Sequence, residues 1–429
     1  MTAPMKFETL RAIFDAAVAA AHPAGRLARH LPAPPKGRIV LLGAGKAAGS
    51  MIVATEAHYL DALGLPAERL TGLGVARQGY GCATRVVPVI EAGHPVPDQA
   101  GVEATARILD LAREAGPDDL VLALLSGGGS ANWIAPADGL TLAEKQAITR
   151  ALLRSGAVIG EINCVRKHLS RIKGGRLAAL ARPARLVTLA ISDVPRDEPS
   201  AIASGPTVPD PTTLADARAI VARYAIDLPA SAKALLDDPA METPKPGDPL
   251  FAGASFEIVA RPADALAAAA QAAQAAGYEP VSLGADVEGE ARDVAAAHAA
   301  QALRLRSEGR RAALLSGGEL TVTIRGKGRG GPNQEYALAL ALALNGAEGI
   351  AAVAGDTDGT DGGAGAATDP AGAFVDATTL ARARAAGPDP AAMLADNDST
   401  GFFEAIGDLL RPGPTLTNVN DLRAILIDP

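Results

Sequence analysis

Aromatic side chains make up only 3% of this chain, so its cores must be filled by Ala, Val, Leu and Ile, which suits helices packed closely on sheets. Cysteine is scarcer still. Cys82 and Cys164 are too few for a disulfide framework, and neither lies in a CxxC pair, so no zinc site is readable. No apolar run reaches the length of a membrane span; "ALALALALNGAEG" breaks at Asn345 and Gly346. An excess of basic residues is missing too. The net charge is −8 and both signs are interspersed, which argues against a nucleic-acid or membrane footprint while leaving local clusters able to hold a small anion. Glu8 and Asp15 interrupt the first apolar-periodic segment and exclude a signal-peptide core there. These absences describe a soluble, cytoplasmic protein.

What is present is length and periodicity. A chain of 429 residues holds two or three domains. Short Val/Leu/Ile runs without alternation, "RIVLLGAG", "GLGVA" (72–76), "RVVPVI" (85–90), "LVLALL" (120–125) and "RLVTLAI" (185–191), read as strands buried on both faces. Amphipathic stretches at 6–22, 45–62, 99–115, 141–156 and 164–181 read as helices. Strand–helix alternation of this kind predicts an α/β, doubly wound parallel sheet. Around 226–252 five prolines interrupt the pattern, which sets a boundary and two domains, 1–240 and 241–429. The second is again an α/β series, with helices at 262–276, 289–308 and 333–345 and strands including "LTVTI", "IAAVAG" and "LRAILI".

Several glycine-rich segments sit where strands end. In "LLGAGKAAGSM" (41–51), Gly43 and Gly45 let backbone approach a ligand, and the following helix N-terminus offers N–H groups and a positive dipole to an anion. The spacing Gly43-x-Gly45-x-x-Ala48 approaches a dinucleotide fingerprint. However, Lys46 inside the turn reads better as a phosphate contact, and the next strand ends at Arg77 rather than at an acid for a ribose. In "LLSGGGSAN" (124–132), Gly127, Gly128 and Gly129 between Ser126 and Ser130 form a concave array of N–H donors, an anion-binding nest. A plain tight turn is the alternative for both.

"NCVRKHLSRIKGGRLA" (163–178) is dense in cations. With Asn163 as the helix cap, Arg166 and Lys167 stand near the helix start, where their charge opposes the dipole and asks for an anion; a solvated basic face is the alternative. "AISDVPRDEPSAIASGPTVPDPTT" (190–213) is a long polar loop after a strand, with Asp193 placed to take a proton or orient a hydroxyl. "RGKGRGGPNQEYALALA" (325–341) joins Arg325, Lys327 and Arg329 on a glycine loop to a helix entered through Pro332, with Asn333 and Glu335 in its first turn. Finally, "AGDTDGTDGG" (354–363) carries Asp356, Asp358 and Asp361. Its spacing is not that of an EF-hand, and Mg²⁺, which needs only one or two carboxylates beside phosphate and water, suits it; a solvated acidic turn is the alternative.

Together, "GAGKAAGSM", "AGHPVPD", "LLSGGGSA", "RKHLSRIKGGRLA", "ISDVPRDEPSAIASGPTVPD", "GGPNQEYALA" and "AGDTDGTDG" closely resemble the glycerate 2-kinase family with a MOFRL-type C-terminal domain, over about residues 7–427. Some members of that family are labelled hydroxypyruvate reductase. The resemblance implies an N-terminal Rossmann-like domain, a smaller C-terminal α/β domain, and an active site in the cleft between them. It implies transfer of the γ-phosphoryl group of ATP to the 2-hydroxyl of D-glycerate, with a divalent cation such as Mg²⁺. Lys46 and Arg325 stand at the family's glycine-flanked lysine and C-terminal cationic loop. Catalysis is thus expected of Lys46, Arg325 and Asp193. Binding is expected of Gly43, Gly45, Ser126, Gly127, Gly128, Gly129, Ser130, Arg166, Lys167, Asn333 and Glu335, and metal positioning of Asp356 and Asp361. Two rivals stand beside this reading, an NAD(P)H-dependent hydroxypyruvate reductase and a non-enzymatic phosphosugar-binding domain. A homo-oligomer is left open.

Overall fold

The computed structural model describes residues 3–363 and 366–429, without the side chains of residues 3, 4 and 195. Helix α1 (Ala3–Ala21) leads. Then follow β1 (Ile39–Ala44), α2 (Ala48–Glu56), β2 (Leu70–Arg77), β3 (Val89–Ala92), α3 (Gln99–Arg113), β4 (Leu120–Leu125), α4 (Gly129–Asn132), α5 (Leu142–Arg154), α6 (Ile159–His168), α7 (Arg176–Leu180), β5 (Arg185–Ile191), α8 (Leu214–Arg223), α9 (Ala230–Asp237) and β6 (Ser255–Ala260). The rest comprises α10 (Pro262–Ala275), β7 (Glu279–Gly284), β8 (Gly289–Glu290), α11 (Ala291–Ser307), β9 (Ala312–Ser316), β10 (Leu320–Thr321), α12 (Pro332–Leu344), β11 (Ile350–Asp356), β12 (Gly372–Asp376), α13 (Thr379–Ala386), α14 (Pro390–Ala395), α15 (Ser399–Ile406), β13 (Leu409–Leu410) and β14 (Asp421–Ile427). No helix among the described residues is long and apolar enough to cross a membrane.

The chain divides into two units, Pro23–Val259 and a second made of Ala260–Pro429 with the leading segment through His22. The compact units thus meet at 259/260, where the prolines point to 240/241, and the first helix joins the second unit. Packing explains both shifts. Leu10, Ile13, Phe14 and Ala17 of α1 are fully buried, and α1 packs on α10 and on β11 and β14. The proline-rich stretch at 226–252 is no linker, because Leu228, Ala232 and Leu236 belong to a core cluster with α5, α6 and α8.

In the Pro23–Val259 unit the sheet order is β3-β2-β1-β4-β5-β6, with parallel pairing from β3 through β5. All residues of β1 and β4 are buried, as their unbroken apolar runs require when helices cover both faces. The strand order reverses between β1 and β4, and in such sheets ligands bind outside the carboxyl ends of strands at that point. The loops holding Lys46 and Ser126–Ser130 both start there.

The second unit's sheet, β13-β12-β11-β14-β9-β7, is mostly antiparallel, with only β7 and β9 running parallel. Ala291, Ala295, Ala299 and Ala302 form a buried stripe at helical spacing on α11, and their small side chains bring α12 close. Helix α12 is buried almost all round, including Asn333, Gln334 and Glu335 of its first turn. The expected strand "LTVTI" shrinks to β10, paired with β8 alone.

The expected helix 164–181 is two helices. α6 begins at Ile159, where the Glu161 carboxylate accepts the Val158 N–H at 3.3 Å, and Gly174 and Gly175 break the chain in left-handed conformations before α7. Asn163 is therefore interior, and Arg166 and Lys167 lie in the last turn of α6. There the helix dipole favours cations, the reverse of what a place at the helix start would mean.

Candidate functional site

The turn after β1 and the loop after β4 interlock. Lys46 N–H donates to Gly127 O (2.8 Å), Ala47 N–H to Ser126 Oγ (2.9 Å), and Ser126 N–H to Ala44 O (2.9 Å). Gly45 holds φ +109°, and a Cβ there would overlap the Ser126 and Gly127 carbonyl oxygens. Gly43 admits close packing instead, since a Cβ would press on Ile52 and Ala48. These contacts correct one expectation. The first N–H groups of the α2 turn are not open to an anion, because the β4 loop takes them. Ser126, fully buried, is a strut of that junction.

What the junction leaves is the outer face of the β4 loop. Gly128 is left-handed at φ +83°, and among the described residues no group accepts the N–H of Gly127 or Gly128. Successive N–H groups across such a turn make an anion nest. Lys46 lies beside it, its Cγ 3.6 Å from where a Gly128 Cβ would sit. His94, from the segment after β3, flanks the same point, with Nε2 at 3.3 Å and Cδ2 at 3.2 Å.

Beneath the nest lie three cations. Lys173 donates to Ser130 O (2.7 Å) and Trp133 O (3.1 Å), Arg166 to Ser130 O (3.2 Å) and Asn163 Oδ1 (3.4 Å), and Lys145 to Leu169 O (2.9 Å). Lys145 and Lys173 are buried, and among the described residues no carboxylate pairs with any of the three. Burial pushes the Lys145 ammonium down to about 7, helped by the charge of Arg166, and Arg166 down to about 10; burial and both neighbouring cations hold Lys173 well below its ordinary value. Burial disfavours the charged forms, and an anion bound nearby would favour them again. Ser130 Oγ shares a hydrogen bond with Ser204 Oγ (2.7 Å), which ties the 192–207 loop to the nest. Asp193, half-buried, follows the carboxyl end of β5 in that loop. Lys167 stands apart from this arrangement, as it forms a buried ion pair with Asp210 at 3.1 Å. Ligand contact was expected of it, but its charge is already matched.

In the second unit the first turn of α12 is a wiring point. Asp361 accepts the Asn333 N–H (3.0 Å), the Gln334 N–H (2.9 Å) and Gln334 Nε2 (3.0 Å), so it caps the helix with both oxygens. Burial and the nearby Asp421 charge push the Asp361 carboxyl up to about 7. Asn333 Nδ2 also donates to Asp421 (2.6 Å), which pairs with Arg423 (2.8 Å). Glu335 pairs with Arg292 (2.7 Å) and accepts from Asn397 (2.9 Å), whose Oδ1 takes the Arg325 and Gly326 N–H groups. Asn333 and Glu335 thus organise loops through their own hydrogen bonds rather than presenting open side chains. In the 325–331 loop, a Cβ on Gly326, Gly328 or Gly330 would collide with residues 396–399, while Arg325, Lys327 and Arg329 are exposed. The alternation is a period-two pattern, with glycines inward and cations outward.

The donor set for a cation is smaller than the sequence suggested. Among the described residues no three His, Cys, Asp or Glu side chains form a metal cage. Mg²⁺ does not need one. Asp356, half-buried at the end of β11, fits as a single carboxylate, with Oδ1 accepting the Asp358 N–H at 2.9 Å. Asp361 fits poorly as a direct ligand, since a cation would displace its N–H donors.

Set against known proteins, residues 9–237 match a domain of unknown function, DUF4147, and residues 312–421 match the MOFRL family. A protein of Agrobacterium vitis that carries a hydroxypyruvate reductase name is 52% identical over 98% of this chain and 94% of its own length. The D-glycerate 2-kinase of Thermotoga maritima is 39% identical over 90% of this chain and 89% of its own. A crystal structure of glycerate kinase from Thermotoga maritima superposes with a TM-score of 0.85 at 36% identity, covering 99% of this chain and 100% of that one. The fold defines a two-unit α/β protein whose first unit carries glycine-rich loops at the switch point of its sheet. The chain belongs to the glycerate 2-kinase family with a MOFRL domain.

Proposed function

We propose that this protein is a soluble, cytoplasmic kinase that transfers the γ-phosphoryl group of ATP to the 2-hydroxyl of D-glycerate, giving 2-phosphoglycerate. The observation that carries the reading is the β4 nest, with Lys46 beside it and Lys145, Arg166 and Lys173 buried beneath it without counter-charges. Phosphoryl transfer asks little covalent chemistry of the protein; positioning and positive charge do most of the work. Lys46 stabilises charge on the transferring group. The nest and Arg166 hold anionic ends, the glycerate carboxylate among them, and Asp193 orients the acceptor hydroxyl. In the second unit Arg325 supplies a further cation. Mg²⁺, when bound, offsets phosphate charge; Asp356 positions it, and Asp361 acts through the α12 cap.

The name of the Agrobacterium vitis relative favours a second reading, hydride transfer to hydroxypyruvate. Two features weigh against a dinucleotide. The N–H groups that would face its pyrophosphate at α2 are bonded to Ser126 and Gly127, and β2 ends at the buried Arg77 rather than at an acid. A phosphosugar sensor finds less support, since the nearby family names are those of enzymes. Phosphorus NMR of the product formed from D-glycerate and ATP tests the position of transfer. A 2-phosphoglycerate signal supports the reading, and 3-phosphoglycerate corrects it.

A further inference from the structure

His94 reaches the nest from the far side of the sheet. It follows β3, the edge strand, and β2 and β1 lie between β3 and β4. At ordinary strand spacing that lateral path is roughly 14 Å. The segment after Ala92 crosses the carboxyl edge and then enters α3, where Asp98 caps the helix by accepting the Gly101 N–H at 2.9 Å. Its imidazole edge lies against Gly128, within 3.3 Å of the position a Cβ would take, on the side where the Lys46 stem also sits. Gly128 serves two ends there, since it adopts the left-handed conformation and leaves room for both side chains.

The acceptor hydroxyl must lose a proton as it attacks phosphorus; apart from Asp193, which orients that hydroxyl in the proposed reading, few groups around Gly128 can take one. Lys46 is a cation. Ser126 Oγ is bonded to Ala47 N–H and Ala44 O, and Ser130 Oγ to Ser204. Lys145 and Lys173 lie deeper, fully buried and held by the carbonyl oxygens of Leu169, Ser130 and Trp133. An imidazole can accept, and His94 is half-buried, so a proton taken on its inner side can leave to water.

We propose that His94 is the general base of the phosphoryl transfer. The assignment rests on the kinase reading above. As the glycerate oxygen–phosphorus bond forms, the hydroxyl proton passes to the imidazole. The bond from the γ-phosphorus to its bridging oxygen breaks, ADP leaves with that electron pair, and the imidazolium returns its proton to solvent. No other reactant is required.

The test is ADP release from ATP and D-glycerate by the full-length wild type, His94→Ala, His94→Gln and Asp193→Asn, with and without added imidazole. His94→Ala should lower kcat about 100-fold, the lower end for loss of a general base, with both KM values nearly unchanged. Imidazole should restore at least a tenth of the lost rate, which a packing role would not allow. His94→Gln keeps the bulk against Gly128 and guards against a misfolded alanine variant; it should be as slow as His94→Ala. Full kcat in His94→Gln overturns the assignment, as does a loss that imidazole leaves untouched. Full kcat in His94→Gln together with a slow Asp193→Asn moves the base to Asp193. A wild type that releases no ADP overturns the kinase reading along with this one.

Discussion

The two units store opposite charges in their interiors. Below the nest, Lys145, Arg166 and Lys173 are held by carbonyl oxygens of Leu169, Ser130 and Trp133. At the start of α12, Asp361 and Asp421 are held by N–H groups of Asn333 and Gln334 and by Arg423. Buried charge is costly unless hydrogen-bonded, and each cluster uses the partial charges of the backbone or of amide side chains to meet that cost. The difference lies in what remains. The carboxylates are closed by an ion pair and a helix cap. The three basic side chains beneath the nest have no carboxylate partner among the described residues, so that cluster is left open. A closed cluster builds a fold; an open one prepares a site.

Lys46→Ala should show the largest effect, because it removes the cationic side chain whose stem lies against Gly128. We expect kcat from ATP and D-glycerate to fall by roughly 100- to 1000-fold. An unchanged kcat with raised KM would mean that Lys46 binds ground state and transition state alike.

Gly128→Val should come next. It forces a branched residue to φ +83° and pushes against His94 and Lys46. The left-handed conformation alone costs about 1–2 kcal/mol for such a residue. The glycerate or nucleotide KM should rise about tenfold while the melting transition stays cooperative. Loss of the fold would reduce the glycines to a tight turn.

Asp356→Asn and Asp361→Asn separate site from structure within the second unit. The Mg²⁺ concentration needed for half activity should rise several-fold for Asp356→Asn. For Asp361→Asn the melting temperature should fall, since cap loss costs roughly 0.5–2 kcal/mol, with little change in the Mg²⁺ midpoint. If only Asp361→Asn shifts the midpoint, the cap reading is wrong.

The smallest effect is a pH signature of opposite sign in the two clusters. The Lys145 ammonium is lowered from 10.5 to about 7, so its burial penalty is full below pH 7 and is relieved as pH rises toward 10.5. The Asp361 carboxyl is raised from 3.8 to about 7, so its contribution to stability falls as pH rises from about 4 to 7. Melting curves across this range should steepen or flatten accordingly in Lys145→Met and Asp361→Asn, each variant losing one slope. Identical pH profiles in both would contradict the contrast.

Much of this is legible in the sequence. Apolar runs mark β1, β4 and β5, and glycines at the ends of β1 and β4 mark the loops that meet at the switch point. What could not be read was which hydrogen bonds those loops exchange. Glycine tolerance alone cannot tell an N–H aimed at an anion from one aimed at Ser126 Oγ. Asn163 looks like a cap in the sequence and so puts Arg166 at a helix start, whereas the helix begins earlier, at Ile159. Lys167 and Asp361 were chosen for their charge, but their partners Asp210, Asn333 and Gln334 lie far away in sequence. His94 lies in "AGHPVPD", where nothing in the sequence assigns it a role, because its nearness to Gly128 depends on a path across two strands.

The central claim, that the nest and its cations serve phosphate rather than hydride chemistry, meets its most direct test in one paired measurement on the purified full-length protein. ADP release with ATP, Mg²⁺ and D-glycerate is followed beside NADH and NADPH oxidation with hydroxypyruvate. The account predicts sustained ADP release that depends on D-glycerate, with no oxidation of either nicotinamide above the enzyme-free rate. Oxidation of NADH or NADPH by hydroxypyruvate, with no glycerate-dependent ADP, would contradict it.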